Sequence, residues 1–411
     1  MRPNLQSISD HLWIASFCGL AIFVPFSIAG ANVSIMLGFL ASLIAVVVSP
    51  AARRRYRGAI RDPLFAASIL LVVSALPSVF MSENLHRALR ELKSYWLLLV
   101  YFLVAYNLVS DRLRRVVFWI LFTSMSLSCA VALIQYGGGL KLLFLRIESS
   151  TYRPSSTLYT MTFAGILYQL ITVNFAVLLR ERAVSRRGLV LTLGLICQIA
   201  SLLLTLTRGA WLALVGGLSM LPLLLKRRIL LLTGAAGIVV VGVLALQSPT
   251  VRDRAATIIQ NVREPTDKNI ATRLVLWDIS WQVFRKHPLL GVGLGDYSIE
   301  AEKHLSERFV TTTSDSHNIY LQLLATRGLV GFIPFVVFWV VLFRVLFESK
   351  RHVIGKDRFG YHFVAGTIAA TVAVLIGALS ENNIDDSEVF TAFLLLVGMA
   401  RSFRVSKAAS N

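Results

Sequence analysis

The chain has 411 residues, 56% of them hydrophobic and only 15% charged, with a mean hydropathy of +0.69. That composition excludes an ordinary soluble domain and defines a polytopic membrane protein. A net charge of +19 could suggest a nucleic-acid partner, but where the charges cluster argues against one.

A helix needs about 20 apolar residues to cross the hydrocarbon core of a bilayer. Residues 12–29, 31–48 and 63–80 each meet that requirement, and further spans are read at 94–109, 116–136, 158–178, 189–206, 211–225, 229–246, 329–347, 361–380 and 388–403. The expected fold is therefore all-α, a polytopic transmembrane helical bundle of about twelve spans with one long, partly helical loop outside the spans. Residues 1–246 carry helices one to nine with short loops, 247–318 form the large loop with its amphipathic helices, and 319–411 carry helices ten to twelve. The first apolar run follows Arg2 and precedes Ala29 and Ala31 in the manner of a signal peptide, but a second spanning run follows at once, so it is read as a span. Cys18, Cys129 and Cys197 fall inside apolar runs and read as small core residues, not as a disulfide or metal framework.

Alternate short loops hold the basic residues: Arg53, Arg54, Arg55 and Arg57; Arg112, Arg114 and Arg115; Arg182, Arg186 and Arg187; Arg227 and Arg228; Lys350, Arg351 and Arg358; Arg401, Arg404 and Lys407. This is the positive-inside pattern, and it puts both termini in the cytoplasm. The loops 81–93, 137–157, 207–210, 247–318 and 381–388 then face outward. Within the longest, "IATRLVLWDISWQVFRK" (270–286) sets Ile270, Leu274, Trp277, Trp281 and Phe284 at helical spacing, the pattern of a helix lying along the outer interface. "GVGLGDYS" (291–298) looks like a dinucleotide fingerprint, yet no strand precedes it and no βαβ unit surrounds it, so its glycines read as a tight turn after "KHPLL".

Cations also occur outside, where the orientation rule does not require them. Arg208 stands in "TLTRGAWL" at the mouth between two spans, Arg273 begins the amphipathic helix, Arg146 and Arg153 flank "RIESSTYRP", and Arg87, Arg90 and Lys93 occupy 81–93. Snorkelling at helix ends accounts for some of these. Arg208, in a very short turn beside Thr205 and Thr207, is held close to the bundle instead. Fixed guanidinium forks match phosphate oxygens, which suits a lipid-linked diphosphate. The acids Asp278, Asp296, Asp315, Asp385 and Asp386 lack the paired spacing that holds divalent ions, so metal-independent chemistry without a cofactor is expected. In "TTTSDSHNIYLQLLATRGLVG" (311–331), His317 sits where the long loop re-enters the membrane. Its ordinary pKa suits a base near neutrality; by spacing alone, an interfacial histidine with satisfied hydrogen bonds is the plainer reading.

Three pieces in order, "TRGAWL", "RLVLWDISWQVFRKHPLLGVGLGDY" and "HNIYLQLLATRGLVG", resemble the O-antigen ligase family of membrane proteins, which also includes Wzy-type O-antigen polymerases and O-linked oligosaccharyltransferases. In motif the resemblance covers roughly 205–331, and in topology most of the chain. Many relatives carry an acid shortly before the glycine that matches Gly328; here Thr326 and Arg327 precede it. The resemblance implies glycosyl transfer at the periplasmic face of a bacterial inner membrane, from an undecaprenyl diphosphate-linked glycan to the lipid A core. It implies diphosphate binding by Arg208 and Arg273, activation of the acceptor by His317, and single displacement with inversion. Arg146, Tyr152, Arg153, Asn318, Arg87 and Lys93 are the candidate substrate contacts. Polymerase and protein-glycosylating transferase share donor and mechanism and differ in acceptor. A transporter of lipid-linked sugars would need ionisable groups at mid-membrane depth, and most spans have none at their centres.

Overall fold

The computed structural model describes residues 2–136, 153–182, 185–226, 268–305 and 315–408, which are mostly helical, with no strand among them. Arg2–Phe23 (α1) and Ile28–Val48 (α2) form a hairpin, so the first predicted span stops before Pro25 rather than at residue 29. Ser27 caps α2 by accepting from the Gly30 N–H. The first basic run is itself a helix, Pro50–Ile60 (α3), opened by the Ser49 cap and Pro50. Asp62 then caps Pro63–Met81 (α4).

The span predicted at 94–109 is the end of a composite crossing. It consists of Leu85–Lys93 (α5), a 3-10 turn Ser94–Leu97 and Leu98–Asn107 (α6). At 10 residues, α6 is about 15 Å long, too short to span alone. Its Val100, Tyr101, Val104 and Ala105 are buried inside the protein instead of facing lipid.

The remaining helices are Asp111–Tyr136 (α7), Thr160–Leu178 (α8), Arg186–Leu204 (α9), Arg208–Leu225 (α10), Lys268–Lys286 (α11), Tyr297–Leu305 (α12), Ile319–Val353 (α13), Arg358–Gly377 (α14) and Ser387–Ala408 (α15). Among the described residues eight helices, α2, α4, α7, α8, α9, α10, α13 and α14, are long and apolar enough to cross a membrane. The span expected at 229–246, with Arg227 and Arg228, lies outside the described residues. Helices α8 and α14 are buried on nearly every face and form the centre, with α10 against both. Helix α15 lies on α6, and α13 on α4.

The two ends of the bundle differ. At one, Asp62, with a fully buried side chain, accepts from Tyr106 Oη at 2.7 Å, Tyr101 Oη at 3.2 Å and Arg401 Nε at 3.1 Å. Glu348 accepts from Arg401 at 3.5 Å and from Arg404. Part of the basic charge that marks orientation in the sequence is thus internal, clasping α4, α13 and α15 together. The other end gathers the starts of α8, α10 and α13 and the ends of α9 and α14, and it carries the candidate site.

Helix α13 is broken at Gly328 (φ 57°, ψ −159°). The glycine run of residues 291–295 explains how the break is tolerated. The chain crosses it so closely that Val292 and Gly293 donate to the carbonyls of Ala325 and Thr326, while Leu329 and Val330 donate to those of Pro288 and Leu289. Backbone groups freed by the break are therefore re-satisfied by protein, as apolar surroundings require. A Cβ at Gly291 would lie 2.3 Å from the Thr326 carbonyl carbon, and one at Gly328 2.3 Å from the Leu289 backbone. These glycines serve a backbone crossing, consistent with the turn expected for them.

Helix α11 forms as the spacing predicts, but its protein-facing side is different. Leu276, Ile279 and Val283 are buried, the last two packing with Tyr297, Ala301 and Ala325, while Leu274 and Trp281 are exposed. Trp281 points away from the protein, whereas Trp277, one turn earlier, is half-buried with its indole nitrogen inside.

Candidate functional site

His317 lies on the loop that leads into α13, and local sequence holds it there. Its backbone is left-handed (φ 50°), a conformation that histidine tolerates better than bulky residues. The Asp315 carboxylate accepts from the His317 N–H at 2.8 Å. Ser316 Oγ donates to the Asn318 carbonyl at 2.7 Å, and the Ser316 N–H donates to Gln322 Oε1 at 2.9 Å. Asn318 caps α13, accepting from Tyr320 and Leu321 N–H groups at 3.0 and 3.1 Å. The Ile319 N–H donates to the Ala378 carbonyl at 3.1 Å, which ties the loop to the end of α14. The side chain of His317 is thus carried by a fixed frame.

Beyond Ala378 the chain reaches Glu381, whose side chain is only 8% exposed and meets both His317 and Arg273. His317 Nδ1 is 3.5 Å from Glu381 Oε2 and 3.4 Å from Asp315 Oδ1. Arg273, projecting from α11, donates to Glu381 Oε1. The Glu381 contact, with help from Asp315, raises the His317 pKa above its ordinary value of 6.5; partial burial and Arg273 oppose the rise. Two carboxylates on the Nδ1 side favour the tautomer with a proton on Nδ1, leaving Nε2 as the lone-pair nitrogen.

Arg208 opens α10, which starts at this same end. The next residue, Gly209, packs so tightly on the loop before Glu381 that a Cβ there would lie 2.0 Å from Ser380 Oγ. Arg153 braces the α9–α10 turn, its Nε donating to the Thr205 carbonyl at 2.7 Å and its NH2 to Thr207 Oγ1 at 3.0 Å. His317, Arg273 and Glu381 are therefore in contact, and the first turn of α10 with Arg208 and Arg153 adjoins them through Ser380.

Other residues singled out in the sequence have different settings. Asn318 is a helix cap. Arg87, exposed on α5, donates to Ser298 Oγ at 3.2 Å, and Lys93 is exposed in the last turn of α5, where a cation suits the helix dipole. Arg146 and Tyr152 lie outside the described residues. No group of three or more His, Cys, Asp or Glu side chains among the described residues is arranged to hold a metal ion.

Two features escaped the sequence reading. Glu381 belongs to "SENNIDD" (380–386), whose density of polar groups between two spans was the available signal. Arg327, noted only as a departure from the family pattern, is buried; it donates to Tyr95 Oη and lies 5.5 Å from the Tyr95 ring centroid. With Tyr95 and Asp385 it lines a cavity of about 50 Å³ whose wall also includes Ile319, two residues from His317.

Fold and site together define a polytopic helical membrane protein with a charged, histidine-bearing centre at one end of its bundle. Residues 193–336 match the family model described as O-antigen ligase, a segment that contains Arg208, Arg273 and His317 but not Glu381. Over that segment the chain is similar to the O-antigen ligase family. No curated protein matches the chain.

Proposed function

We propose that the protein is a metal-independent, inverting glycosyltransferase of the bacterial inner membrane, an O-antigen ligase. It moves glycan from undecaprenyl diphosphate to a hydroxyl of the lipid A core at the periplasmic face, with both termini cytoplasmic. The observation that carries this reading is the contact of His317 and Arg273 with one buried carboxylate, Glu381, beside the turn that bears Arg208.

Each group has a chemical part. His317 Nε2 takes the proton of the acceptor hydroxyl, and the Asp315 and Glu381 carboxylates stabilise the imidazolium that results. The acceptor oxygen forms its bond to the anomeric carbon as the bond to the diphosphate breaks from the opposite face. The electron pair leaves on diphosphate oxygens, where the guanidinium groups of Arg208 and Arg273 neutralise it. Glu381 takes up only part of the five-donor fork of Arg273, so N–H groups remain for phosphate.

The test supplies purified protein with undecaprenyl diphosphate glycan and, separately, with core lipid, with no further acceptor, or with a pilin peptide. Product only with core lipid supports the ligase. Lengthened glycan without added acceptor identifies a polymerase, and glycosylated peptide an oligosaccharyltransferase. Product in none of the mixtures, from protein that binds the donor, refutes the transferase reading. Chelator leaves the reaction running; complete inhibition reversed by magnesium would overturn the part given to the arginines.

A further inference from the structure

The opposite end of the bundle carries a second concave site. Helices α8 and α14 have 19 and 20 residues, so at 1.5 Å per residue it lies about 30 Å from His317, roughly the thickness of a bilayer core. A cavity of about 520 Å³ opens there between the start of α7, the end of α8 and the start of α9. It adjoins another of about 280 Å³, and the two share Arg115, Arg180 and Phe359. Volumes of this size are typical of ligand pockets.

The larger cavity is divided by chemistry. Arg112, Arg115, Arg180 and Arg187 line it, against a single acid, Glu181, which pairs with Arg180 at 3.4 Å. Asp357, in the adjoining cavity, lies 3.8 Å from Arg115. The guanidinium carbons of Arg115 and Arg180 each stand 5.7 Å from the centroid of the Phe359 ring, a cation–π arrangement that orders both side chains. Among the described residues, Arg112 and Arg187 have no hydrogen-bond or ion-pair partner. Towards the membrane interior the wall turns apolar, through Val116, Trp119, Ile120 and Val177. On α7 the sequence produces this division directly: residues 112, 115, 116, 119, 120 and 123 recur at helical spacing on one face, cationic in the first turn and apolar below it.

Orientation alone would be met by arginines directed into water. It does not require four guanidinium groups, from α7, α9 and the turn after α8, around one concavity, two of them ordered on a shared ring, above an apolar groove. We propose that this cavity binds an anionic phospholipid, its phosphate held by Arg112, Arg115 and Arg187 and an acyl chain lying along Trp119 and Ile120. The phosphodiester of a lipid and free inorganic phosphate share the headgroup chemistry; only the lipid uses the apolar groove.

The experiment uses the full chain, delipidated and returned to nanodiscs or vesicles. Native mass spectrometry and thermal unfolding compare phosphatidylglycerol with phosphatidylcholine of the same acyl composition, and inorganic phosphate is titrated separately. The anionic lipid is expected to be retained at least about tenfold better than the zwitterionic one and to raise the melting temperature, an effect that millimolar phosphate does not reproduce. Combining Arg112→Gln with Arg187→Gln should abolish the preference, and Trp119→Ala should weaken lipid retention. Since Arg112 and Arg187 are exposed and form no hydrogen bond or ion pair among the described residues, the double variant is expected to unfold normally without lipid. Equal retention of both lipids by the native chain, an undiminished preference in the double variant, or stabilisation by phosphate equal to that by lipid would each overturn the proposal.

Discussion

Glu381→Gln removes one negative charge from the centre of the candidate site while keeping the shape of the side chain. In the resting protein that carboxylate lies 3.5 Å from His317 Nδ1 and also accepts from Arg273. When the imidazole takes a proton, an imidazolium–carboxylate attraction appears; at such a separation and an effective dielectric constant of about 20 its gross value is about 5 kcal/mol. The His317 side chain is 36% exposed, and Arg273 already engages the same carboxylate, so screening and competition reduce the net contribution to about 1–2 kcal/mol. That corresponds to a loss of roughly 5–30-fold in the turnover rate at saturating donor. The pH profile supplies an independent check. A base must be neutral to act, so activity should rise with pH through a pKa above the ordinary histidine value. Without the carboxylate that pKa falls, and the acid limb of the profile should move to lower pH even as the plateau drops. The assay is initial rate of glycan transfer against pH with purified protein, with donor affinity measured in parallel. An unmoved acid limb together with an unchanged plateau would refute the assignment of Glu381 to His317.

Further outcomes are expected on the same grounds. His317→Ala should lower turnover by about 10²–10⁴-fold with donor affinity largely kept; normal turnover would remove histidine from the chemistry. Arg208→Lys keeps the charge but loses the fork, so a transfer rate reduced by about tenfold or more at normal abundance is expected, and a fully active lysine variant would count against diphosphate binding there. Gly209→Val removes no charged group, yet a Cβ at this position meets Ser380 Oγ; comparable transfer by the folded variant would show that this approach does not set the site. At the other end, Asp62→Ala leaves Arg401 without its nearest acid and exposes two tyrosine hydroxyls to apolar surroundings. Thermal unfolding in detergent should show a destabilisation of about 3–5 kcal/mol, and a loss below about 1 kcal/mol would mean that the clasp contributes little.

How much of this could be read from the linear chain differs from element to element. Helices such as α4, α8 and α14 are plain because an apolar run of spanning length has few alternatives. The segment from 94 to 109 reads as one more span for the same reason, but a bundle can bury an apolar stretch in its own interior, and α6 lies there. The helix 268–286 announced itself through its spacing, whereas the choice of buried face depended on which neighbour covered it: Ile279 and Val283 meet α12 and α13, and Trp281 is left outside. The glycines after residue 290 could be recognised as backbone devices, but not that they cross a broken helix.

The site divides in the same way. His317, Arg208 and Arg273 stand out in the sequence as charged groups in places where membrane orientation does not require them. Glu381 could not be singled out, since its importance comes from position: it lies 108 residues from Arg273 and is brought to it by the packing of α11 and the α14–α15 loop on α13.

The sequence by itself determined the membrane class, the helical fold and the separation of charge between the two ends of the molecule, because exclusion of water from the hydrocarbon core imposes those demands residue by residue along the chain. Only the tertiary structure decided which charges meet. Contact between groups distant in sequence depends on how helices pack, and the pairing of one buried carboxylate with both an imidazole and a guanidinium exists only once α11, α13 and α14 are assembled.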